Sequence, residues 1–507
     1  MAKYKRSNYS QTVFLQVSLS EQLIPGTIEF AIHSLVESRI DFSQLDSRYK
    51  NDQTGSWAYD PRILLKIVLY GYSLGIISSR KIEKACRQNM VFMALSGGQH
   101  PDHSKIADFV SSLSDEITPL FRNVLLVCEE MQLLGGTEFA LDGLKLPSNA
   151  SKRWSGKISN LQKKKQRLEA KVKKMISEHI EEDQKQAQET SERAPRAKPI
   201  ERLKKQAERI EKFLQEHEPK PGKQFKEVQS NVTDNESAMM QTPHGTIQGY
   251  NAQARVDSKR QVIVQADAFG WGQDHHHLTP VVDGAKQNMQ AIGKGGDYFK
   301  NAILTADTAY HSTDSIKKCE QEQIDAYIPD KEYRKRHPGL SIKASSKASR
   351  RRKYQREDFH YEDKTDQYKC PQGKWLKLDA AKVRIRGQVY RRYRADAIDC
   401  KACPARVGCI YNKGKMGQRK SLMIAVESQA RNYSKEMAAK IDTERARKLY
   451  PRRAAIVEPV FANIRTQKNL DRFTLRGKIK VTIQWLLYCL VHNIEKIANY
   501  GYRFAVG

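Results

Sequence analysis

A handful of short apolar stretches, bounded by turn residues or long polar runs, constrains the fold of this chain more than any other feature. Thr137–Asp142 has the length and the Phe-Ala-Leu centre of a buried strand, and it stops at an acid. Gly245–Asp257 and Gln261–Asp267 flank the turn Ser258-Lys259-Arg260, which is a hairpin pattern. Ala302–Asp307 is again a short apolar strand ending in an acid, and Ile324–Ile328 is a further one. Helical spacing marks Leu278–Ile292 between them, and a last apolar helix runs through Ile483–Val491.

Three strands, a helix, a strand, a helix and a strand, closed later by a helix, is the order of an α/β fold with a ribonuclease H-like core. The remaining segments are insertions or additions to it. Residues 1–135 read as a helical N-terminal domain, with apolar positions at helical spacing in Pro61–Ser73 and Ile117–Cys128. Short helices with basic turns, such as Ser78-Ser-Arg-Lys-Ile82, suit a DNA-binding module of helix-turn-helix type; a plain helical bundle is the alternative. The core itself takes residues 136–155 and 225–330. Between its two parts, residues 156–224 are rich in Lys, Glu and Gln. A thin apolar seam there (Ile158, Leu161, Leu168, Val172, Met175, then Ile200, Leu203, Ala207, Ile210, Leu214) predicts an antiparallel helical hairpin, with a loop at Thr190–Pro199. Residues 331–430 form a very basic, poorly periodic insertion containing Arg334–Arg336, Arg350–Tyr354 and Arg391–Arg394. Residues 431–507 are helical and complete the core.

Charge narrows the function. The 507 residues carry 88 Lys+Arg against 58 Asp+Glu, a formal charge of +30. Such an excess points to a polyanionic partner, above all nucleic acid, with ribosome or membrane-surface binding as the competitor. The Met1–Ser10 segment lacks the apolar run of a secretion signal, and the apolar runs near Ile63–Ile77 and Val481–Val491 are too short to span a bilayer. Eight cysteines without a secretion signal argue for reduced thiols. A soluble, cytoplasmic protein is the expectation.

Asp142 and Asp307 each follow a short apolar strand and precede small residues. Adjacent parallel strands bring such carboxylates close enough that a divalent cation must relieve their repulsion, and Mg²⁺ prefers this oxygen-rich chemistry. Glu458, alone among apolar and basic residues in Tyr450–Arg465, supplies a third acid, and on a helix Arg465 lies on its face two turns on. Turn capping and an ordinary helical ion pair are the bland alternatives for these acids.

Four groups of short motifs make the chain resemble bacterial insertion-sequence transposases with a DDE triad and a Tyr-Arg-Glu-Lys signature. They are Tyr59–Glu83 with His100–Ser104, Asp142–Ser151, Asn231–Ser237 with Gln248–Gln253, and Ala306–Ser312 with Val457–Phe461. The resemblance implies catalytic and metal-binding roles for Asp142, Asp307 and Glu458, with Mg²⁺ or Mn²⁺. It implies DNA contacts for Tyr450, Arg453, Arg465 and Lys145. The implied reaction is hydrolysis at element ends followed by strand transfer into target DNA, by a homodimer bound to DNA. Two departures stand out: in the signature one extra residue separates Arg453 from Glu458 and Arg465 occupies the place of the Lys, and after the second Asp, Thr308 and Ala309 replace the more usual Ala-Gly. Competing readings are a catalytically inactive DNA-binding derivative and a structure-specific nuclease.

Cys370, Cys400, Cys403 and Cys409 offer four thiols in the basic segment, and the CxxC spacing of Cys400 and Cys403 suits structural zinc, free thiols being the alternative. Cys86, Cys128, Cys319 and Cys489 fall in helical patterns and read as core. His275-His276-His277 after Asp274 reads as a loop. The resemblance places Asp234 and Glu236, in a polar loop, near the acidic site, and Asp267, at the end of the third strand, is the rival for a triad position.

Overall fold

The computed structural model describes residues 17–48, 57–185, 197–222, 227–337, 354, 356–385, 388–410, 419–426 and 431–501. The expectations for Met1–Ser10, for Thr190–Arg196 and for the basic run Arg350–Lys353 lie outside the described residues. The chain forms two compact units, residues 1–330 with 437–507, and residues 331–436.

In the first unit everything is arranged around strand β1 (Glu138–Pro147). β2 (Ala238–Thr242) and β3 (Gly245–Asp257) form a hairpin, and β3 pairs antiparallel with the whole of β1. β4 (Ile263–Phe269) pairs antiparallel with β3, while β5 (Ile303–Ala306) and β6 (Asp325–Tyr327) extend the other side in parallel. The result is a mixed α/β sheet. Its centre is apolar because Phe139, Ala140, Leu141, Leu304 and Ala306 are all buried. β1 does not stop at Asp142 as its sequence suggests. Backbone pairing with β3 carries it on to Pro147, so the acid lies in mid-strand.

Helix α1 (Lys478–Tyr500) supplies the main cover. From Ile483 to Ile494 its residues are buried, the polar Gln484 and Asn493 included. Those two are satisfied internally. The Asn493 amide both donates to Ile263 O (2.9 Å) and accepts from Ile263 N (2.8 Å), standing in for a strand partner at the start of β4. Gln484 Oε1 accepts from Thr474 N at 3.0 Å. Burial of polar groups at no loss of hydrogen bonds explains how so polar a helix becomes core. Among the described residues no helix is long and apolar enough to cross a membrane.

The N-terminal residues form helices Ile28–Ser38, Pro61–Ser73, Ser79–Gln88, Met90–Leu95, His103–Ser112 and Ile117–Glu130. The hairpin arm consists of helices Ile158–Lys185 and Ala197–Glu216. They run antiparallel, since Lys165 near the start of the first pairs with Glu211 near the end of the second at 2.5 Å. Leu161, Ile210 and Phe213 are buried between them, with Leu168 and Leu214 packed alongside. Ala197–Pro199, expected in the loop, already belong to the second helix, because a first-turn proline lacks only an N–H that no helical carbonyl would accept.

The second unit, residues 331–436, covers the basic, poorly periodic stretch. It holds an antiparallel sheet of β7 (His360–Glu362), β8 (Gln367–Lys369), β9 (Trp375–Ile385), β10 (Gln388–Ala395) and β11 (Ser421–Ala425) in sequential order. The alternation of Lys377 with Asp379 and of Lys382 with Arg384 is broken by the register shifts around Ala380, and most of β9 is exposed on both faces. A small core of Phe359, Tyr368, Leu376, Tyr393, Ala395 and Leu422 holds it together. The Arg391–Arg394 run is partly neutralised there: Arg391 pairs with Asp366 and Arg392 with Asp379, each at 2.5 Å.

Candidate active site

The parallel register of β1 and β5 ends at Leu141 opposite Ala306. The next residues on the two strands are Asp142 and Asp307, so the topology of the sheet sets these acids side by side. Asp307 begins a 3-10 turn, Thr308–Tyr310, and its carboxylate caps that turn by accepting from Ala309 N at 2.7 Å. Asp142 Oδ1 accepts from Gly143 N at 2.8 Å. A side chain at position 143 would collide with Gln253 and Asn251, which explains the glycine.

Burial pushes the pKa of both acids above the ordinary carboxylate value. Asp307 raises Asp142 further, whereas Arg453 and the Gly143 N–H pull it down. For Asp307 the Ala309 N–H, Arg453 and Lys145 oppose burial, while Asp274 adds to it. The balance is a crowded, partly desolvated pair of carboxylates short of positive charge.

Arg453 comes from α2 (Arg452–Ala462), which packs on β1. Its Nη1 donates to Asp142 Oδ2 at 2.5 Å, and Tyr450 just upstream lies close enough to favour its charge. The neighbouring Arg452 pairs with buried Glu138 at 2.6 Å, so both ends of the first half of β1 are tied to the same helix turn. Lys145 reaches Asp274 Oδ2 at 3.4 Å.

Asp274 is the residue that sequence reasoning missed. With His275 and His276 it forms a 3-10 turn rather than a loop, and Asn251 and Gln253 donate to its Oδ1 at 2.6 and 3.2 Å. The buried hydroxyl of Tyr310 donates to Gln253 Oε1, and its pKa is driven far up by burial and by Asp274, Asp142 and Asp307 together. Three acids therefore surround Tyr310. The clue in the sequence was the polar pair Asn251 and Gln253 alternating with Ala252 and Ala254.

Other expected residues separate from this centre. Glu458 is exposed on α2 and makes no hydrogen bond or ion pair among the described residues; it does not complete a trio of ligand atoms within 4.8 Å with Asp142 and Asp307. Arg465 is also exposed, but it does not sit two α-helical turns from Glu458. Pro459 lies inside α2, and a π turn, Asn463–Gln467, follows the helix, which shifts the face on which Arg465 emerges. Asp267 accepts from Thr482 Oγ1 at 3.1 Å, and Glu236 from Lys478 N at 2.8 Å, so both acids brace the start of α1. Asp234 accepts from the buried Tyr250 hydroxyl at 2.8 Å. His277 is buried with its Nε2 2.9 Å from Trp271 O. The described residues that do bring three ligand atoms together are Glu83, Asp102 and His103. There Glu83 accepts from the His103 N–H at 3.2 Å, as a helix cap does.

Comparison with known families agrees with this reading at a coarse level. The model of a transposase DDE domain matches residues 369–498, and that of a transposase domain (DUF772) matches residues 17–112. The first match contains Tyr450, Arg453, Glu458, Arg465 and the four cysteines of the second unit, and leaves Asp142 and Asp307 outside it. No curated protein matches the chain. The two matches support a DDE-type transposase.

Proposed function

We propose that this chain is a transposase that cuts DNA at the ends of an insertion element and joins the freed 3′ ends to target DNA. The observation that carries the reading is the half-buried Asp142–Asp307 pair at adjacent parallel strands, with Arg453 against it. The strand order β4-β3-β1-β5-β6, antiparallel and then parallel, supports a ribonuclease H-like core.

The donor set fits a hard divalent cation, as a DDE domain implies in general: carboxylate oxygens, crowded and under-neutralised. Asp142 and Asp307 hold it in this reading, with Mg²⁺ or Mn²⁺ as the ion and Glu458 as the third ligand. Glu458 shares α2 with Arg453, and Pro459 and the π turn give that helix a weak point from which to bring the acid inward. Bound there, such a cation supplies Lewis acidity and lowers the pKa of a ligated water. Arg453 and Lys145 meet the phosphate oxygens as negative charge builds on them, Tyr450 steadies Arg453, and Arg465 contacts the DNA backbone. Because two element ends are handled together, the working form is a homodimer on DNA.

The test is a supercoiled plasmid carrying both element ends, incubated with Mg²⁺ and either wild type or Asp307→Asn. Binding of the ends is retained and cleavage falls at least about a thousand-fold, roughly 4 kcal/mol in the barrier. Equal cleavage by both proteins, or a wild type that binds and never cuts, overturns the proposal.

A further inference from the structure

The second unit has too little apolar material to account for its order. Its core is confined to Phe359, Tyr368, Leu376, Tyr393, Ala395 and Leu422, and much of the rest is Lys and Arg. Domains of this kind need a staple, either disulfides or a metal. All eight cysteines of the chain are free thiols. The four in the first unit, Cys86, Cys128, Cys319 and Cys489, are buried at separate places in its core. The other four behave differently.

Cys370, Cys400, Cys403 and Cys409 come from three places in the chain and line one cavity of about 30 Å³, enough for a single ion or water. Cys370 opens the tight turn between β8 and β9, closed by Gly373 N donating to Cys370 O at 2.8 Å, with Gly373 at φ +77°. That turn aims Lys374 N at the sulfur, 3.4 Å away. Cys400 lies in the short helix Ala397–Lys401, and its sulfur accepts from Lys420 N at 3.5 Å. Cys403 follows that helix, and Cys409 ends the helix Arg406–Cys409. Backbone N–H groups directed at sulfur orient its lone pairs. Burial raises the pKa of the Cys409 thiol, nearby Lys420 opposes this, and the other three thiols that line the cavity add to it.

We propose that Cys370, Cys400, Cys403 and Cys409 form a structural four-thiolate Zn²⁺ site that holds the β8–β9 turn to the segment 400–409. Binding exchanges four thiol protons for one Zn²⁺, giving a zinc tetrathiolate of charge −2 whose neighbours Lys374 and Lys420 are cationic. No three of these sulfurs stand within 4.8 Å of one another, so coordination at about 2.3 Å per bond draws them inward by side-chain rotation. All four ligands are protein side chains, which makes the site closed and structural rather than catalytic. The proposal is independent of the transposase reading.

The experiment uses the full chain, purified without a metal-binding tag and dialysed, with metal content measured by mass spectrometry. Wild type carries one zinc per chain, which a mercurial thiol reagent releases to a colorimetric dye. Replacing it with Co²⁺ gives the intense visible bands of tetrahedral cobalt together with thiolate charge transfer. The double variant Cys400→Ser/Cys403→Ser carries none. A wild type without zinc and without the cobalt–thiolate spectrum overturns the site, as does one equivalent of zinc retained by the double variant. Should that variant fail to fold, the wild-type cobalt spectrum decides alone.

Discussion

The two units of this protein order themselves in opposite ways. The first is built from apolar mass: β1 and α1 are buried for most of their length, and polar side chains such as Asn493 enter only where they find backbone partners. The second has a core of a few aromatic and aliphatic side chains under a strongly basic sheet, with four thiols gathered at one cavity. The difference shows two routes from sequence to order. Hydrophobic burial supports a large unit and leaves surplus stability in which to strain a pair of carboxylates, while a small, charged unit must draw its stability from a few specific contacts.

That contrast can be broken or sharpened by measurement. The largest effect is on chemistry: Asp142→Asn, like Asp307→Asn, lowers end cleavage by about a thousand-fold or more. Without added cation it leaves the melting temperature of the first unit unchanged or higher, because it removes a charge that burial disfavours. A cooperative loss of fold in Asp142→Asn would mean that the carboxylate is structural.

Core truncation comes next. Trp485→Ala, which empties a fully buried site and removes the indole N–H bond to Gln253 O (2.9 Å), costs about 3–5 kcal/mol by denaturant unfolding. Leu376→Ala in the second unit costs about 2–4 kcal/mol and lowers a separate, earlier transition. One merged transition shifted equally by both substitutions would erase the distinction between the units.

Acid stability belongs to the first unit. His492 is buried, and desolvation lowers its pKa from 6.5 to about 3, with Lys496 adding to the effect. Its folded value is depressed, so the unfolded chain takes up the proton first. The stability that this provides is full above pH 6.5 and is lost as the pH falls toward 3. Urea titrations between those limits should show the slope, and His492→Gln should flatten it.

A smaller effect is expected at Arg255, which is fully buried between the rings of Phe139 and Phe299, with the guanidinium 4.6 and 3.7 Å from their centroids. None of its nitrogens has a side-chain hydrogen-bond partner, and burial lowers its pKa to about 9. Arg255→Met is therefore neutral or stabilising by about 1 kcal/mol in thermal unfolding. A loss of more than about 2 kcal/mol would show that the stacked cation is a net contributor. Smallest of all, Glu444→Ala removes an exposed pair with Lys448 and changes stability by no more than about 0.5 kcal/mol.

Local chemistry made much of this legible in advance. The apolar strands, the hairpin and the seam of the helical arm could be read because each depends on periodicity or on neighbours in sequence. The CxxC spacing singled out the thiols for the same reason. What the sequence could not supply was anything set by pairing across long separations. β1 outruns Asp142 because β3 pairs with it, and the two out-of-phase halves of β9 join into one strand through their pairing with β10. Asp274 joins the acids only because β3 presents Asn251 and Gln253 to it. Arg453 turns from a residue near an acid in sequence into the partner of a different acid 311 positions away. Those decisions belong to the tertiary structure, because hydrogen bonds and charge act over a few ångströms of space whatever the distance along the chain.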